Sequence, residues 1–81
     1  MKRGKEQILS EILDVCANGA NKTKIVYGAK LNFRTINPYM ELLIEKELIR
    51  VKPGQMILYE TTPKGESLLE SIREVHDILG E

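Results

Sequence analysis

The sequence has few of the residue types that build reactive, metal-binding or cross-linked sites. Its 81 residues include one cysteine, Cys16, so a disulfide within the chain is impossible. Cys16 lies in the apolar stretch EILDVCA without an acid–base partner close by, which predicts a buried thiol. With His76 as the single histidine, no metal-ligand spacing is present, and we expect neither a metal nor a cofactor.

Motifs of catalysis are missing as well. The chain has no glycine-rich phosphate loop, no nucleophile beside a base and no pair of acids at a useful spacing. We therefore expect that the protein is not an enzyme.

The sequence also lacks long apolar runs and net charge of either sign. No segment reads as a signal peptide or a membrane span, which predicts an intracellular protein without a membrane partner. Twelve basic and twelve acidic residues cancel, but residues 1–40 hold seven basic and three acidic residues, whereas residues 41–81 hold five and nine. A polyanionic partner should therefore meet the first half of the chain.

Helical periodicity accounts for the first part of the chain. Apolar residues at helical spacing predict a first helix over residues 5–17, a brief second helix over 22–28 and a third over about 33–46. Asn21 and Asn32 are good N-caps for the second and third helices. In the third helix Ile36, Met40 and Leu43 should form the buried stripe.

The remaining residues predict a hairpin and a last helix in the same domain, which spans residues 1–81. Alternation at Ile49/Val51 and Ile57/Tyr59, around the turn-rich KPGQ at 52–55, predicts two short strands. Thr62 and Pro63 then favour a helix over residues 63–79. At the other end, Lys2, Arg3 and Lys5 suggest a mobile basic arm over about residues 1–4.

Several short motifs resemble those of one known fold family. KLN at 30–32 resembles a Gly-Leu-Ser turn between two helices, and LIEKELI at 43–49 resembles a Leu-x-x-Lys-Gly-Leu-Ile helix ending. YETTPKG at 59–65 resembles the entry to the last helix in archaeal regulators. Over about residues 6–79 the chain looks like the small archaeal winged helix-turn-helix proteins, which include dimeric, chromatin-associated DNA binders. The expected fold is mainly α with a small β-hairpin, three helices and a two-stranded wing followed by a C-terminal helix.

The resemblance implies a DNA-binding protein, either a transcriptional regulator or a chromosome-associated protein of the cytoplasm, with double-stranded DNA as partner. The third helix would enter the major groove, and the wing would lie on the backbone. The candidate DNA-binding residues are Arg34, Thr35, Asn37, Lys22, Lys24, Lys30, Arg50, Lys52 and Gln55. A homodimer would form through the last helix, because Leu68, Ile72, Val75 and Leu79 have heptad spacing, although the same stripe could instead bury against its own domain. Leu69 and His76 flank this stripe and complete the candidate dimerisation set.

Two residues depart from the family pattern. Glu47 stands where a glycine is usual, which predicts that the third helix ends without a left-handed cap. Pro38 lies in the body of the same helix and cannot donate to the Arg34 carbonyl. Either the helix kinks at 34–38, which we favour, or it begins late with Asn37 as its cap.

Two alternatives to DNA binding stay open on the sequence. A winged helix can serve as a protein–protein interaction module without direct DNA binding, and the zero net charge is compatible with that function. RNA binding is the second alternative. The four aromatic residues are expected at core positions, where they would not form a stacking platform.

Overall fold

Four helices and one hairpin follow each other in the computed structural model, which describes residues 4–80. The elements are α1 (Lys5–Val15), a 3-10 turn (Cys16–Asn18), α2 (Lys22–Gly28), α3 (Phe33–Glu45), β1 (Ile49–Lys52), β2 (Leu58–Thr61) and α4 (Pro63–Leu79). The predicted element order is confirmed. The first helix is shorter than predicted, because residues 16–18 tighten into the 3-10 turn. Lys5 is the first residue of α1 and is not part of an arm, while Lys2 and Arg3 lie outside the described residues.

One apolar core holds these elements together. It consists of Ile12, Leu13, Cys16, Ala20, Ile25, Val26, Ala29, Ile36, Met40, Leu43, Ile49 and Leu69. The predicted stripe of α3 is confirmed, since Ile36, Met40 and Leu43 are all buried. Cys16 is fully buried, as predicted, and this burial raises the pKa of its thiol to about 12 despite the opposing charge of Lys24.

The C-terminal ends of α2 and of α3 have the same backbone conformation. Lys30 after α2 and Glu47 after α3 both have positive φ, 55° and 59°. At the second site the Leu48 N–H donates to the Leu43 carbonyl and the Glu47 N–H donates to the Ile44 carbonyl, at 2.8 and 3.0 Å. These bonds form a Schellman cap. The expectation that α3 lacks a left-handed cap was wrong, because Glu47 adopts the conformation that glycine usually supplies.

The start of α3 decides against one of the two interpretations of Pro38. The Asn32 side chain accepts a hydrogen bond of 2.7 Å from the Thr35 N–H, and the helix begins at Phe33. Pro38 therefore lies inside the helix, and the late start with Asn37 as cap is excluded.

The hairpin over residues 49–61, which we call the wing, is tied to the helices at one edge. β1 and β2 pair antiparallel, with Ile49 opposite Thr61 and Val51 opposite Tyr59. On the other side of β2, Ala20 and Tyr59 exchange two backbone hydrogen bonds of 3.0 and 2.8 Å. The wing is thereby fixed beside the residue that precedes α2.

The end of α3 and the start of α4 are joined by Thr62. Its hydroxyl donates to the Glu47 carbonyl at 2.7 Å and accepts from the Gly65 N–H at 3.0 Å, so one side chain connects two helix termini. The Thr62 N–H also donates to the Leu48 carbonyl. A Cβ at Gly65 would collide with that carbonyl oxygen, which explains physically why glycine occupies this position.

Candidate nucleic-acid interface

The outward face of α3 carries the residues predicted to contact DNA. Arg34, Thr35 and Asn37 are all exposed, as are Pro38 and Glu41 on the same face. They are exposed because the buried stripe fixes the rotation of the helix about its axis. The structure therefore presents three side chains with hydrogen-bonding groups on one solvent-facing surface. Their contact with DNA stays a prediction.

Three lysines surround α2. Lys22 begins the helix and is half-buried, whereas Lys24 and Lys30 are exposed. Asn21 caps this helix by accepting from the Lys24 N–H at 2.8 Å. The α2 helix and the turn that follows it thus contribute positive charge next to the start of α3.

The basic residues of the wing are partly neutralised. Arg50 donates to Glu60 across the strand pair at 3.0 Å, and the Lys52 ammonium lies 3.6 Å from the same carboxylate. Gln55 is exposed in the connection between the strands. Sequence reasoning missed Glu60. Its signal was the opposite charge directly across from Arg50, but reading it required the strand register.

Exposed aromatic side chains are a second feature that sequence reasoning missed. Tyr27, at 76% exposure, and Phe33, at 50%, lie on either side of the turn between α2 and α3. The expectation that all four aromatics occupy core positions was wrong for these two. Tyr39 and Tyr59 pack against the core as partly buried residues.

The start of α1 approaches the outward face of α3. Lys5 lines a shallow groove together with Thr35, Pro38, Tyr39 and Leu42. A basic side chain at the beginning of the described chain therefore lies beside the N-terminal half of α3, where it adds to the positive charge of this surface.

The predicted dimerisation residues of α4 divide into two sets. Leu69 is buried in the core of its own domain, which leaves little of its side chain for a partner. Along the apolar stripe of α4, defined as Leu68, Ile72, Val75 and Leu79, exposure rises toward the C-terminus. Leu68 and Ile72 are half-buried, whereas Val75 and Leu79 are exposed by 51% and 64%. His76 is half-buried and lines a groove with Ile72, Val75, Ser71 and Glu6 of α1.

A known family matches this order of elements, in which two helices joined by a turn are followed by a hairpin. The model of the winged helix-turn-helix family covers residues 2–80. The chain belongs to this family. Among solved structures, the crystal structure of Sso10a-2, a DNA-binding protein from Sulfolobus solfataricus, is similar with a TM-score of 0.89 and 29% sequence identity. That similarity covers 96% of this chain and 83% of Sso10a-2.

Relatives in sequence come from Methanocaldococcus jannaschii. Protein MJ0290 is 42% identical over 98% of this winged helix-turn-helix chain, and protein MJ0287 is 30% identical over 96%. The chain spans 36% of the length of MJ0290 and 78% of that of MJ0287. Among residues 4–80, no helix combines the length and apolar character needed to cross a membrane.

Proposed function

We propose that this chain binds double-stranded DNA through α3 in the major groove, with α2 and the wing on the phosphate backbone. The observation that carries the proposal is the exposed Arg34, Thr35 and Asn37 on the outward face of α3. Membership of the winged helix-turn-helix family and similarity to the DNA-binding protein Sso10a-2 support it. An architectural or regulatory role on the chromosome is the corresponding cellular function.

The three side chains suit the chemistry of base edges. Arginine pairs with O6 and N7 of guanine, asparagine pairs with adenine, and the methyl group of threonine contacts that of thymine. Pro38 adds an acceptor, because it has no N–H to donate to the Arg34 carbonyl. That carbonyl is free of its usual partner within the helix, and it can accept from an amino group in the groove or from water.

The lysines and the wing supply sequence-independent contacts. Lys22, Lys24 and Lys30 around α2 would meet phosphates, which position a protein without reading bases. Arg50 and Lys52 share Glu60, so we assign them a weaker contribution than the α2 lysines.

We further propose that two copies associate through the apolar stripe of α4. The half-exposed Val75 and Leu79 support this, because apolar side chains in a row on one helix indicate a partner surface. A two-fold dimer would present two α3 helices about 34–36 Å apart, which is the spacing of successive major grooves.

A titration of duplex DNA at several salt concentrations tests the binding proposal. The wild-type affinity should fall steeply as salt rises, because bound Lys and Arg release counterions from the DNA. Arg34→Ala and Asn37→Ala should each weaken binding to a preferred sequence by about 5- to 150-fold, corresponding to about 1–3 kcal/mol per bidentate base contact.

Arg73→Ala is the matched control. Arg73 is an exposed arginine on α4 whose surface pair with Asp14 contributes little to stability. It should leave the affinity unchanged. A flat salt response in the wild type, or equal affinities for the two α3 variants and the wild type, would contradict DNA binding through this surface.

A further inference from the structure

The connection between the two strands of the wing exposes large apolar side chains. Met56 is 58% exposed and Ile57 is 53% exposed, and Val51 on the adjoining strand is 43% exposed. We infer that this wing tip, residues 53–57, is an apolar wedge that enters the minor groove of double-stranded DNA and kinks the duplex. The inference rests on the proposed function and deepens it by assigning the wing a role beyond contact with phosphates.

The charges of the wing lie in the strands and not at its tip. Arg50 and Lys52 both face Glu60, and the tip itself contains Pro53, Gly54 and Gln55 besides its two apolar residues. A wing that acted only on phosphates would be expected to carry free positive charge at its tip. Proteins that kink DNA from the minor groove insert Met, Ile, Leu, Phe or Pro between base steps. The tip has three residues of these types within five positions.

The tip is fixed beside the basic residues that would hold phosphates. The Asn21 side chain donates to the Met56 sulfur at 3.3 Å, and Asn21 directly precedes Lys22. The Ala20–Tyr59 bridge holds the adjoining strand at the same place. Phosphates border both grooves of DNA. If the lysines at the start of α2 contact the phosphates of one strand, the adjacent tip would face the groove next to that strand.

The size of the patch favours a groove over a protein partner. A stable protein interface uses about 20–30 residues and about 800 Å² on each side. Only Val51, Met56 and Ile57 are large, apolar and exposed on the wing, which is far less than such an interface needs. A wedge, in contrast, needs one or two apolar side chains.

A measurement of DNA bending separates this inference from DNA binding itself. A short duplex labelled at both ends reports its bend by energy transfer, and wild-type protein should bend it by about 20–90°, the range of minor-groove wedges. Met56→Gln combined with Ile57→Thr keeps the length of the first side chain and the β-branching of the second, and it replaces apolar groups by polar ones. This variant should bend the duplex by about half as much or less, because polar groups gain little from contact with base faces.

Met56→Leu combined with Ile57→Leu is the matched control, since it keeps an apolar tip, and it should bend DNA like the wild type. The slope of affinity against salt should be the same for all three proteins, because no charge is changed. Wild-type binding without a bend, or a bend that the polar variant retains, would overturn the wedge and leave the proposed function intact. If the polar variant instead altered sedimentation and not the bend, the tip would be a contact between copies. Absence of any binding would overturn the proposed function.

Discussion

At the scale of single residues, Glu47 shows a conformation that its side chain does not favour. A residue with a Cβ pays about 1–2 kcal/mol for the left-handed region, and glycine does not. Glu47 nevertheless has a φ of 59°, because its own N–H and that of Leu48 both close hydrogen bonds onto the end of α3. The geometry of the cap thus prevails over the preference of the residue.

Glu47→Gly should therefore stabilise the protein. The strain that it removes exceeds the extra freedom of glycine in the unfolded chain, about 0.5–1 kcal/mol, so the net gain should reach up to about 1 kcal/mol. The hydrogen bond from Thr62 to the backbone carbonyl of residue 47 is retained. Chemical denaturation at a fixed protein concentration measures the free energy of unfolding.

Glu41→Gly provides the control with the opposite sign. Glu41 is exposed in the middle of α3, where glycine should cost about 1 kcal/mol. A loss of stability in both variants would show that the Glu47 side chain contributes more than its backbone strain costs.

The exposure of a residue could be predicted from the sequence where it depends on nearby residues, and not where it depends on distant ones. Arg34 and Asn37 are exposed because the cap at Asn32 sets where α3 begins and the stripe of three apolar residues sets which face is buried. Tyr27 is also exposed, yet an aromatic residue next to Val26 is not distinguishable from a core residue by its type. The pairing of Arg50 with Glu60 depends on the register of the two strands, which the sequence alone does not determine.

At the scale of elements, α3 and α4 meet end to end through hydrogen bonds and not through side-chain packing alone. Thr62 connects the Glu47 carbonyl to the first turn of α4, and the Lys64 ammonium donates to the Lys46 carbonyl at 3.0 Å. These donors satisfy carbonyl groups that the end of a helix leaves without partners. The joint should therefore determine the orientation of the last helix relative to the proposed DNA-reading helix.

Thr62→Val tests this joint. It removes a helix cap and one side-chain hydrogen bond without changing the size of the residue, so the free energy of unfolding should fall by about 1–3 kcal/mol. Thr23→Val is the matched control on the exposed surface of α2 and should change stability by less than about 0.5 kcal/mol. Equal small effects would show that the joint is held by Gly65 packing instead.

The order of the elements was accessible from the sequence, because each helix and strand has its own period and its own cap or turn. The bridge between Ala20 and Tyr59 was not, since one pair of residues shows no period and joins parts of the chain that are distant in sequence. The same holds for the contact between Asn21 and Met56, which places the wing tip next to α2.

At the scale of the whole molecule, the apolar residues of α4 range from buried in the core to exposed, and Leu68 still packs partly against that core. Leu69 faces the core of its own domain, and Leu68, one residue or about 100° away, begins the stripe that continues to Val75 and Leu79. A small domain that leaves such a stripe half-exposed gains stability when a second copy covers it. The 17 residues of α4 offer only two to three heptads, so other contacts, such as the groove beside Glu6 and His76, would have to contribute.

Sedimentation at tens of micromolar should accordingly give about twice the 9.2 kDa mass of one chain. Val75→Glu combined with Leu79→Glu places charges in the stripe and should produce a monomer, because two carboxylates would be buried without partners. Ser67→Glu, an exposed position of α4 outside the stripe, should remain a dimer. The monomeric variant should also bind a two-site duplex about a hundredfold more weakly, since the α3 helices of two copies are no longer linked. A wild-type monomer would contradict the dimer without affecting the proposed DNA-reading surface of α3, because Arg34 and Asn37 lie on a different helix from the stripe.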